Sequence, residues 1–176
     1  MNNIQVILWL FPMLFIFHDF EEIIFMKIWI DRNRNYLTER FPSLSKKLLP
    51  HFDNITTSSF ALGVAEEFII ISIITIISYV TKWYSLWLGL FIAFTFHLVV
   101  HCLQTLIVRK YVPSIVTSII CLPICIYIIK NILELVTLGT VIMYSIFSLI
   151  FMIINLGVIH KLMDVFSNWV NKIEIN

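Results

Sequence analysis

Between Phe15 and Phe25 the chain reads FIFHDFEEIIF, three carboxylates and an imidazole inside an otherwise apolar run. His18 and Glu22 stand four residues apart, with Glu21 beside them, so on a helix the three share one face. Two further stretches carry the same residue types. FALGVAEEF holds Glu66 and Glu67, and FTFHLVVHCLQ holds His97 and His101, again four apart. Imidazoles one helical turn apart present two nitrogens to one metal. Helical bundles build carboxylate–histidine metal sites in their interiors in this way. A mixed nitrogen and oxygen donor set suits zinc or a non-haem iron or manganese ion better than calcium.

His18, Glu22, Glu67, His97 and His101 are therefore the candidate metal ligands. Glu21 and Glu66 are the candidate general bases, taking a proton from a water whose pKa the metal has lowered. Which glutamate of each adjacent pair faces the centre stays open. Four residues are candidates to orient the ligands. Asp19 points about 100° away from His18 round the helix, as a supporting partner or as a distant partner of Lys27. Gln104 follows His101 by three residues. Thr117 either faces the centre or bonds its own backbone. Asn155 lies near the same depth, as interhelical glue or as part of the lining.

These groups need elements that can hold them. The chain has 176 residues, 60% of them hydrophobic and only 13% charged, with a mean hydropathy of +0.94. Soluble domains average about 25% charged. The apolar residues come in long runs that do not alternate, which predicts membrane-spanning helices rather than barrel strands. Five spans are predicted, at about 4–30, 59–80, 84–108, 112–130 and 135–160. Together they make one all-α membrane domain over 1–176, with no internal repeat. The polar segment 31–58 is the one sizeable loop, partly amphipathic between Thr38 and Leu49. The tail after His160 spaces Leu162, Val165, Phe166 and Trp169 helically and reads as an interfacial helix. Pro113 opens the fourth span in its first turn, and Pro123 kinks it.

With five spans, Arg32, Arg34, Arg40, Lys46, Lys47, Arg109, Lys110, Lys161 and Lys172 share one side, against Lys82 and Lys130 on the other. The positive-inside rule then puts the C-terminus in the cytoplasm and the N-terminus outside a plasma membrane. A net charge of +1 implies no basic face for nucleic acid. The three cysteines, Cys102, Cys121 and Cys125, fall inside apolar runs and read as packing residues rather than a disulfide framework. His51 and His160 sit at the interface and read as solvated.

Depth ties the polar groups together. At about 1.5 Å per residue, His18, Glu22, the second-span glutamates, His97 and His101 lie roughly 10–18 Å from the cytoplasmic ends of their spans. A carboxylate at mid-membrane costs about 2.5–3.5 kcal/mol, so five cost on the order of 15 kcal/mol, comparable with the whole stability of a domain. A compensating partner is required. A metal is one. A protonated carboxyl and imidazole network, uncharged because burial disfavours charge, is the other.

On these motifs the chain resembles the HXXEE family of bacterial and archaeal membrane proteins. The naming motif stands as His18-Asp19-Phe20-Glu21-Glu22. The family's P-x-x-x-T motif fits Pro113 to Thr117, and the histidine of its N-x-x-x-H motif falls on His101. The asparagine of that motif is His97 here. Either the position supports the site in the family, or this chain has gained a ligand. The resemblance implies a membrane-embedded helical fold and implies no reaction, since the family is described as one of unknown function.

The functional expectation is a metal-dependent membrane enzyme, hydrolase-like, acting on a lipid or other amphiphile. The alternatives are a proton- or ion-handling transporter, since ionisable residues in spans mark such pathways, and a structural subunit with a buried polar network.

Overall fold

The computed structural model describes residues 3–174, and they are helical nearly throughout. α1 runs Asn3–Arg40, α2 Pro42–Asn54, α3 Thr57–Thr81, α4 Tyr84–Val108, α5 Ile115–Leu133 and α6 Leu138–Glu174. Four stretches are long and apolar enough to cross a membrane: Thr57–Thr81, Tyr84–Val108, Ile115–Leu133 and Leu138–Lys172. α1 has the length, but its polar cluster and basic end set it apart. Large side chains such as Ile69, Val80, Leu106, Ile126, Phe147 and Ile153 are exposed on α3 to α6. A soluble surface rarely shows so much contiguous apolar area.

Helix boundaries depart from the expected spans where apolarity and helix propensity part company. α1 continues past Ile30 for ten residues, through the stretch read as loop. Nothing between Leu14 and Arg40 breaks a helix, and Lys27 pairs with Asp31 one turn on, at 3.5 Å. α2 starts with a proline in its first turn, where the missing N–H costs nothing. It folds back on α1, and Ser45 donates to the Leu37 carbonyl at 2.8 Å. The tail is not a separate helix: α6 is continuous over 37 residues. At about 1.5 Å per residue it is roughly 55 Å long, well beyond a hydrocarbon core of about 30 Å. Pro113 stands in the turn before α5 rather than in its first turn.

The core is aromatic. Phe11 meets Trp87 and Phe91 edge-on at 5.6 and 5.1 Å, and Trp87 stacks on Phe91 at 4.7 Å. The buried Trp87 indole donates to the Leu8 carbonyl at 3.2 Å, so α1 and α4 are fixed about three turns from the polar cluster. Cys121 and Cys125 are buried in this core and Cys102 is half-buried, all as free thiols. Two glycines let α6 approach. A Cβ on Gly89 would stand 2.7 Å from the Tyr144 carbonyl oxygen, and one on Gly63 would stand 2.8 Å from a methyl of Ile159.

Candidate metal centre

α1 and α4 bring their two i, i+4 pairs together. One donor atom from each of His18, Glu22, His97 and His101 lies within 4.8 Å of every other. His101 Nε2 is 2.8 Å from His97 Nε2 and 3.1 Å from Glu22 Oε1. Four ligands at about 2.0–2.1 Å around one ion stand roughly 3.3 Å apart in a tetrahedron. These two pairs are slightly tighter than that, and the remaining donor atoms lie within 4.8 Å. This His/Glu group could hold a metal ion.

The tautomer of His18 follows from its neighbours. Thr117 Oγ1 donates to Glu21 Oε2 at 2.7 Å, and its one proton is thereby committed. His18 Nδ1, 3.0 Å from the same oxygen, must then donate to it. That leaves the His18 Nε2 lone pair buried and without a hydrogen bond, on a ring whose neighbours are His101 at 5.1 Å and His97 at 5.6 Å between centroids. Such an atom costs free energy unless something binds it.

Glu21 has a different occupation. It accepts from Tyr111 Oη at 2.7 Å, from Thr117 N at 2.8 Å, from Thr117 Oγ1 and from Val116 N at 3.4 Å. It thus caps the N-terminus of α5 from another helix, where free N–H groups and the helix dipole favour a carboxylate. A carboxylate with four donors on it is poorly placed to serve as a base. Glu22 accepts a hydrogen bond from Ser114 Oγ. Ser114 holds φ 85° and ψ −12°, a left-handed conformation costing a non-glycine residue on the order of 1–3 kcal/mol. That strain aims its hydroxyl at Glu22 instead of at its own helix.

The α3 carboxylates stand apart from the four. Glu66 accepts from Asn155 Nδ2 at 3.3 Å, so Asn155 bridges α6 to α3. Glu67 lines a cavity together with His97 and Asn155. Asp19 is buried, with its Oδ2 unbonded. Its suggested partner Lys27 is engaged by Asp31 instead. Gln104 is exposed and does not reach His101, whose Nδ1 has no hydrogen bond. Three residues after His101 is roughly 60° off its direction, and that side of α4 faces outward. His51 and His160 are bonded to each other at 2.9 Å, with Asp164 3.1 Å from His51 Nδ1. They join α2 to α6 rather than facing water singly.

Ser114 and Tyr111 are the supporting residues the sequence did not single out. The only signal for Ser114 was its place inside the PSIVT stretch.

Residues 9–128 match the family described as "Protein of unknown function with HXXEE motif". The chain belongs to that HXXEE family. The matched stretch contains all four clustered residues and the whole of the α5 N-terminus, while α6 lies beyond it. No curated protein and no solved structure matches the chain.

Proposed function

We propose that the chain is a multi-pass membrane protein, with α1 as a fifth span, whose His18–Glu22–His97–His101 cluster holds a divalent metal and hydrolyses a lipid or other amphiphile. One observation carries this reading. His18 brings a ring nitrogen within 4.8 Å of donor atoms of His97, His101 and Glu22, and its Nε2 is buried and unbonded. Zinc, or non-haem iron or manganese, fits that donor set. A bound ion would supply Lewis acidity toward a carbonyl and toward water. Ser114 fixes the Glu22 carboxylate, and Thr117 fixes the His18 ring. Glu67, which lines the same cavity as His97 and lies outside the four, would take a proton from water adding to an ester carbonyl of such a substrate. The proton passes to the departing alkoxide, leaving an acid and an alcohol. In this reading the basic loops put the C-terminus in the cytoplasm and the N-terminus outside the plasma membrane.

Metal analysis of the detergent-purified protein tests it. Close to one equivalent of zinc, iron or manganese is expected, lost in both His18→Ala and His101→Ala. A folded, metal-free protein from metal-replete cells would sink the reading. It would favour proton handling by Asp19 and Glu22, whose burial on α1 is the specific observation behind that alternative.

A further inference from the structure

The larger of the two cavities that touch the cluster is lined by His97. Glu67, His97 and Asn155 form its polar end, and His97 is shared with the metal donor set. From there the cavity runs between α1, α3, α4 and α6 along apolar side chains only, among them Phe11, Ile71, Ala93 and Phe151. On α4 it reaches from His97 to Leu90, seven residues, or roughly 10 Å at the helical rise. It holds about 70 Å³ of room, on the order of five water-sized positions. Water has no partners along those walls, so an apolar occupant is favoured there. Half-buried Ile70, Leu90, Met152 and Leu156 line it as well, on helices whose outer faces are apolar. A ligand that arrives through such a surface comes from the bilayer.

We propose that this cavity binds the alkyl segment of a membrane amphiphile, with the amphiphile's polar end held at His97, Glu67 and Asn155. This rests on the metal-centre reading for its catalytic meaning and adds the substrate class. The substrate is a lipid-derived molecule whose reacting group lies at the end of an apolar chain, not a water-soluble ester. Ala93 and Leu156 set how much chain fits, because Ala93 is the smallest wall residue and Leu156 stands on the α6 side.

The test uses the full chain in detergent, with a long-chain fatty acid carrying a diazirine along its alkyl segment. After irradiation, labelled residues are mapped by mass spectrometry, and metal content is measured on the same samples. Labelling should concentrate on cavity residues of α3, α4 and α6 and be competed by plain fatty acid. Ala93→Phe should cut it about tenfold. Should that variant fail to fold, Leu156→Trp fills the half-buried side and is expected to do the same. Metal content should stay at the parent level in both. Labels spread over the outward residues Ile153 and Val158, indifferent to both variants, would overturn the proposal whether or not metal is present. Cavity labelling in a metal-free protein would uphold the alkyl site and overturn the metal-centre reading.

Discussion

Thr117→Val removes one oxygen and keeps the side chain's shape. That oxygen accepts from His18 Nδ1 at 3.0 Å and donates to Glu21 at 2.7 Å. Glu21 is little affected, because the Thr117 and Val116 amides and the Tyr111 hydroxyl still reach it. His18 loses its sole Nδ1 partner. A buried donor left unpaired costs about 1–3 kcal/mol, and the ring is then free to turn its Nε2 away from the cluster. Loss of a partner that orients a metal-bound histidine typically weakens binding 10–100-fold, or about 1.4–2.7 kcal/mol. A zinc-chelator competition on the purified protein reads this directly. Thr117→Val is expected to bind 10–100-fold more weakly than the parent, and Thr117→Ser, which keeps the hydroxyl, to stay close to it. If Thr117→Val binds within threefold of the parent, or Thr117→Ser is equally weak, the oxygen does not orient His18 and the tautomer assignment is wrong.

Ser114→Ala removes the hydroxyl held on Glu22 and is expected to lower metal content, while Ser114→Gly also relieves the positive φ, so the two variants should separate in melting temperature, with the glycine the more stable. Gly89→Ala drives a methyl into the Tyr144 backbone and is expected to cost about 1–3 kcal/mol in thermal unfolding, whereas Gly63→Ala meets flexible side chains and should cost less. Burial, and then the hydrogen bond to Glu21, pushes the Tyr111 phenol above its ordinary value of 10.0. Its contribution is therefore complete below about pH 10 and is lost as pH rises beyond it. A melting temperature that falls at alkaline pH more steeply in the parent than in Tyr111→Phe is the expected result.

The centre was legible where helix period alone decides. His18 and Glu22 share a face, as do His97 and His101, whatever else the chain does, and the common depth of α1 and α4 made their meeting readable. What period cannot give is how far each helix is rotated against its neighbours. Glu21 and Glu22 differ by about 100°, and packing sends one to the α5 N-terminus and the other to the histidines. The same indeterminacy left open which way the α3 glutamates turn; Glu66 meets Asn155 and Glu67 the cavity. Capping of α5 by a residue some 95 positions away leaves no local trace, nor does a left-handed serine. Helix ends were misread at α1 and α6, because apolarity marks where lipid ends and not where hydrogen bonding along the helix stops.

Gly89 and Gly63 have a consequence for how such a protein can diversify. α6 is held against α4 at Tyr144 and against α3 at Ile159, and its cavity residues, Phe151 to Leu156, lie between these two fixed points. That stretch supplies a wall of the chamber but none of the four donor groups. If the cavity holds an alkyl segment, as proposed, substitutions there would retune which chain is accepted while the donor set stays as it is. Part of the selectivity would then be written on α6, apart from the donors and open to change without them, while Ala93 keeps the rest on α4, one turn from His97.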